Sequence, residues 1–149
     1  MKISKKILGI VVVVLVIIFG AYSLYPRSGS FNDLILTEYS KVEFKKVTLT
    51  STKHGSFSAS SNDIDKINKV LSYLAELKLT EYKSKKDEHY TYNEYYDIGL
   101  YDHNNNVLGI SVYNENLIQV YIGMDSKTKI YRITDNKVDI EHIKKLIQD

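Results

Sequence analysis

The sequence predicts an α+β fold. An N-terminal transmembrane or signal helix precedes one two-layer domain, built from a strand, a long helix, a four-stranded antiparallel meander and a C-terminal helix. Three observations carry this. Residues 95–133 form four short runs separated by polar, Asn-rich turns, the first three alternating apolar and polar side chains and the last less cleanly. Residues 62–78 place apolar residues three and four apart. Residues 7–25 carry no charge. Period two is the signature of a half-buried strand, and spacings of three and four are that of a helix with one buried face.

The chain opens with Lys2, Lys5 and Lys6, followed by an uncharged run of 19 residues, Ile7–Tyr25, whose centre from Ile10 to Phe19 is continuously apolar. At about 1.5 Å per residue such a helix nearly spans the roughly 30 Å hydrocarbon core of a bilayer. Lysines before the run place the N-terminus in the cytoplasm and the rest of the chain outside. Two readings stay open. The segment remains as a single-pass anchor, so that the membrane itself is a partner through residues 7–25, or it is a signal peptide cleaved near Ser23, where Ala21-Tyr22-Ser23 has the small-x-small pattern. The length of the run, and Tyr22 and Tyr25 at the interface, favour the anchor.

Residues 1–27 are therefore read as anchor or signal segment, 28–41 as linker or lead-in, and 42–149 as the extracytoplasmic domain. Pro26-Arg27-Ser28-Gly29-Ser30 has linker composition. Leu34-Ile35-Leu36 fits either a helical turn or a strand. Val42–Leu49 reads as a strand whose apolar parity changes at Lys45-Lys46, which predicts a bulge. Ser51–Ser61 reads as a polar loop. Asn62 is the expected cap of the long helix, with Asp63 and Asp65 in its first turn and Ile64, Ile67, Val70, Leu71, Leu74 and Leu77 along its apolar stripe. Leu79–Tyr82 continues as a short strand, and Lys83–Glu94 is a charged connection.

The meander strands are expected at Tyr95–Tyr101, Val107–Tyr113, Leu117–Gly123 and Thr128–Ile133. Ile98, Leu100, Leu108, Ile110, Val112, Ile118, Val120 and Ile122 share the parity of a buried face. Asp139 begins the last helix, with Val138 and Ile143 placed as a hydrophobic staple.

Composition narrows the function classes. The absence of cysteine removes disulfides, thiolate metal sites and a cysteine nucleophile. The formal charge of +2 misleads: without Lys2, Lys5, Lys6 and Arg27, the 20 Lys and Arg fall to 16 against 18 Asp and Glu. The domain is then slightly acidic and lacks the basic face that nucleic acid requires.

Candidate chemistry is sparse. Asp102-x-Asn104-x-Asn106 matches the first three oxygen positions of a calcium loop, but Val107 and Tyr113 stand where that loop needs glycine and glutamate. A β-turn accounts for the same residues. His54, His89, His103 and His142 have no metal-ligand spacing. Ser111 lies mid-strand and not on a nucleophile elbow. No catalytic residue, metal ligand or cofactor is expected.

Tyrosine is the compositional oddity, with 13 residues against no tryptophan. Tyr95, Tyr101, Tyr113 and Tyr121 have the parity of the face opposite the aliphatic residues. A tyrosine-rich sheet face suits binding of protein or glycan, and it also suits cross-strand aromatic packing alone.

The run Asp97-Ile98-Gly99-Leu100-Tyr101-Asp102 through Asn104-Asn105-Asn106, then Ile110-Ser111-Val112-Tyr113, a further strand and a C-terminal Ile-Lys-Lys-Leu helix resembles a family of small secreted or membrane-anchored domains of unknown function from Gram-positive bacteria. The resemblance covers Val42 to the C-terminus and implies a position outside the membrane. The expected function is a non-enzymatic binding module at the cell envelope, taking a protein or glycan. The alternatives are a secreted inhibitor or immunity-type protein, or a small envelope-acting hydrolase.

Overall fold

The computed structural model describes residues 5–52, 57–83, 95–103, 105–114, 116–122, 127–135 and 137–149. The aliphatic alternation of the meander is realised as the centre of a larger antiparallel sheet. The elements in chain order are helix α1 (Lys5–Leu24), strand β1 (Ser28–Ser30), helix α2 (Phe31–Leu34), a 3-10 turn (Leu36–Tyr39), β2 (Lys46–Ser51), β3 (Ser58–Ser61), α3 (Ile64–Ala75), β4 (Lys78–Glu81), β5 (Tyr96–Asp102), β6 (Asn105–Asn114), β7 (Leu117–Ile122), β8 (Lys127–Ile133) and α4 (Ile140–Gln148). One eight-stranded sheet runs in the order β1-β4-β8-β7-β6-β5-β2-β3. The expected four strands form its contiguous middle.

Register assigns the faces. Val47 opposes Leu100 and Leu49 opposes Ile98. Ile98 opposes Ile110, Ile110 opposes Val120 and Val112 opposes Ile118. Partners in an antiparallel ladder share a face, so these residues make one aliphatic surface. They join Ile67, Val70 and Leu74 of α3 and Ile143 and Ile147 of α4 in a single buried cluster. Burying one helix stripe against one sheet face is the two-layer solution expected of such patterns.

Several local expectations are corrected. The cap of α3 is Asp63, not Asn62: its carboxylate accepts from the Asp65 N–H at 2.9 Å. The helix stops at Ala75 because Lys78 is already paired with Ser30 in the sheet. Ile64, placed in the apolar stripe, is exposed. The strand read over Val42–Leu49 begins only at Lys46, and its ladder with β5 runs without a bulge to Ser51. The parity change at Lys45-Lys46 marks the chain leaving the ladder. The register shifts lie instead between Leu100 and Tyr101 and between Val112 and Asn114.

Two strands were hidden in polar sequence. Ser58–Ser61 pairs with β2, although it lies in the expected loop. Ser28–Ser30 pairs with β4, so the lead-in 28–41 adds an edge strand and buries Phe31, Ile35 and Tyr39 in the core. Serine and glycine carry no hydrophobic alternation, so pairing of these strands depends on their neighbours. The C-terminal helix forms as expected: Asp139 caps it by accepting from the His142 N–H at 2.9 Å, and Val138 and Ile143 are both buried.

The N-terminal apolar run is helical over residues 5–24, and side chains of that helix are described from Ile7 to Gly20. Its large apolar side chains from Ile7 to Phe19 are 46–71% exposed. Among the described residues, no helix is long and apolar enough to cross a membrane.

Candidate functional site

The outer face of the sheet is built from the residues between the buried ones. Across β2, β5, β6, β7 and β8 the register aligns Thr48, Gly99, Gly109, Tyr121 and Thr128 in one row. Thr50, Asp97, Ser111, Gln119 and Ile130 form the next row. Gly99 and Gly109 therefore lie side by side on the two central strands, and neither adds a side chain to the sheet surface there. The result is a trough of about 360 Å³.

The walls are aromatic. Tyr95, Tyr101 and Tyr121 line the trough together with Thr48, Thr50, Asp97 and Ser111. Tyr101 folds back over the first glycine. A Cβ built at Gly99 would lie 2.7 Å from Tyr101 Cε2 and 2.7 Å from Thr48 Oγ1, closer than any side chain tolerates. An aromatic ring laid over a strand glycine covers exposed backbone, and glycine is what allows the ring so near. Lys46 Nζ sits 5.8 Å from the centre of the same ring, within cation–π range.

Tyr113 stands behind the walls and organises them. Its ring centre is 5.8 Å from that of Tyr95, tilted by 56°, a favourable aromatic geometry. Its hydroxyl donates to Gln119 Oε1. Burial, then hydrogen bonding with Tyr121, raises its phenol above the ordinary tyrosine range, so it stays a neutral donor and acceptor. Tyr95 is held from the other side, its N–H donating to Thr52 Oγ1 at 3.0 Å and its carbonyl accepting from the Thr52 N–H at 3.1 Å.

The polar part of the trough is equally organised. The Ser111 hydroxyl donates to Asp97 Oδ1, and Ser111 is 2% exposed. Among the described residues no histidine lines the trough. Aromatic faces, hydroxyls and a carboxylate are suited to holding a ligand.

Of the expected site residues, three line the trough and Tyr113 supports them. Sequence reasoning missed Gly99, Gly109, Asp97, Ser111, Thr48 and Thr50. The signal for the central four was present: in a hairpin turning around residues 103–106, Gly99 and Gly109, and Asp97 and Ser111, fall opposite each other.

Elsewhere, His103 occupies the left-handed region at φ 52° in the turn between β5 and β6. Its ring lies 3.6 Å from the Asp102 carboxylate. Asn104, the middle position of the calcium-like motif, is outside the described residues, as are His54 and His89. Among the described residues, no group of three or more His, Asp or Glu is placed to hold a metal. A second concavity of about 420 Å³ lies between α3 and α4. There the Lys66 ammonium donates to the carbonyls of Ile147 and Gln148 at 3.3 and 3.2 Å, the arrangement of a helix C-terminal cap. A third, of about 850 Å³, lies at the root of α1 between Phe19, Tyr25, Arg27, Lys83 and Lys129.

No curated protein and no solved structure matches the chain. Residues 32–132, which span the sheet from α2 to β8, match the family DUF5301, described as "Domain of unknown function (DUF5300)". The chain belongs to this family of uncharacterised domains.

Proposed function

We propose that this protein is a non-enzymatic binding module displayed on the outer side of the cell membrane, held there by the uncharged N-terminal segment 7–25, and that the tyrosine-walled face of its sheet takes a component of the cell envelope. The observation that carries this reading is the convergence of Tyr95, Tyr101 and Tyr121 on one trough, braced from behind by Tyr113. Tyrosine supplies a large contact area with a polar tip and few rotatable bonds, so a preset tyrosine cluster loses little entropy on binding. The anchor is supported by the lysines before the apolar run and by the exposure of the aliphatic residues of α1. Apolar side chains so displayed demand a partner, and lipid is the one that fits a helix without a polar face.

The test is fractionation of cells expressing the full chain, with the mass of the mature protein and its sensitivity to protease added outside. An intact chain in the membrane fraction, cut from outside, is the expected result. A chain starting near Leu24 in the medium overturns the anchor and leaves a secreted binder, the form an inhibitor would take. A chain protected from external protease overturns the outside placement.

A further inference from the structure

We infer that the ligand of the trough is a neutral oligosaccharide, bound with pyranose rings against Tyr95, Tyr101 and Tyr121. This rests on the reading of the outer face as a binding face and names what it binds. A pyranose presents two kinds of surface: C–H faces that are apolar, and a rim of hydroxyls that both donate and accept. It calls for aromatic planes beside hydrogen-bonding groups in one recess, and the trough offers that pair. Its floor is the Tyr101 ring laid over Gly99 beside the backbone of Gly109, an aromatic plane against which a flat ring can stack. The hydroxyls of Thr48 and Thr50 and the Asp97 carboxylate lie along one flank.

Size and charge agree. The volume of about 360 Å³ lies at the small end of the roughly 300–1,000 Å³ range of small-molecule sites. It suits a short saccharide segment. A protein partner would instead want a broad patch with anchors projecting outward, whereas these rings border a recess. Asp97 is the one formally charged residue among the described residues lining the trough. It accepts from sugar hydroxyls and repels phosphate, while the Lys46 ammonium is engaged over the Tyr101 ring.

The walls are also set before any ligand arrives. Tyr113 fixes Tyr95 by ring contact and is hydrogen-bonded toward Tyr121, and Ser111 orients the Asp97 carboxylate. Preorganisation of this kind lowers the ordering cost that makes weak sugar binding hard to achieve.

The experiment uses the full chain in nanodiscs of zwitterionic lipid, titrated calorimetrically with chitotetraose, with cellotetraose and with inorganic polyphosphate. Binding of one or both oligosaccharides and not of polyphosphate is expected. Tyr121→Ala and Asp97→Asn should each weaken it by about tenfold or more, and Thr50→Glu, which obstructs the trough from an edge-ward strand, should do the same should either of the others fail to fold. The inner-face change Tyr131→Phe should leave the affinity unchanged. Oligosaccharide binding that ignores all trough variants overturns the assignment, as does preferential binding of polyphosphate. A photo-cross-linking residue at position 128, beside Tyr121 in the glycine row, separates the two levels of the reading. No saccharide binding with an envelope protein cross-linked there overturns the sugar and keeps the binding face. Neither saccharide nor cross-linked partner overturns both.

Discussion

The two faces of the central strands are made from the same stretches of chain and obey different rules. On the inner face Ile98, Leu100, Leu108, Ile110, Val112, Ile118 and Val120 are buried under the helices. On the outer face the intervening positions are Asp97, Gly99, Tyr101, Gly109, Ser111, Gln119 and Tyr121. The inner set is what packing alone selects: aliphatic, β-branched or γ-branched, interlocking with α3 and α4. The outer set is not what an exposed sheet surface selects for stability. Two glycines paired across the central strands weaken the ladder, since glycine has low strand propensity and nothing to pack. The inner face holds the domain together by packing, while the outer face has its weakest ladder position at the paired glycines, where the Tyr101 ring covers Gly99.

The largest expected effect breaks the inner face. Leu100→Ala removes a fully buried side chain and should cost about 2–5 kcal/mol, seen as a lower denaturant midpoint. Gly99→Val comes next and strikes the outer face at its floor. Its Cβ would meet Tyr101 and Thr48 at 2.7 Å, and the clash should cost about 1–3 kcal/mol. Displacement of the Tyr101 ring should appear as a changed aromatic chemical shift. An unaltered midpoint would show that the ring is not seated over the glycine.

Alkaline pH sharpens the comparison without mutation. Tyr131, on the inner face, has its phenol pushed up from 10.0 to about 12 by burial and then by the carboxylates of Glu81 and Glu38. Tyr113, behind the trough, is also raised, with burial the main cause. A raised folded value means that the native state holds the proton more tightly than the unfolded chain. The stabilisation is then complete below about pH 10 and is lost as pH climbs towards about 12. Denaturant midpoints should be flat up to pH 10 and fall beyond it, and Tyr131→Phe should flatten part of that fall. The smallest effect belongs to Tyr121, which is 40% exposed: Tyr121→Ala should change stability by no more than about 0.5 kcal/mol.

The same contrast governs how much could be read from the sequence. The inner face was legible at Ile98, Leu100, Leu108, Ile110, Val112, Ile118 and Val120, the expected Ile122 side chain lying outside those described, because an apolar period of two arises from little besides a half-buried strand. The four meander strands formed close to their expected limits. The long helix was legible from its own period, though its cap was one residue off, since Asn62 and Asp63 are both good caps and only backbone geometry chooses between them. Strands β1 and β3 were not legible. Their serines show no pattern, and they pair because neighbouring strands present an open edge. The tyrosines of the trough were identified by parity alone. The recess itself was missed because it is made by what is lacking at Gly99 and Gly109, and by polar residues that look like solvent-facing strand positions until register brings them together.

The central claim is that the outer face binds and the inner face folds. It is tested most directly by one variant with two readouts, Tyr95→Ser with Tyr121→Ala in the full chain, compared with the wild type for denaturant midpoint and for cross-linking to the cell envelope from position 128. A midpoint shifted by no more than about 1 kcal/mol and loss of the cross-linked product are expected. A collapse in stability comparable to that of Leu100→Ala, or undiminished cross-linking from a folded variant, would contradict it.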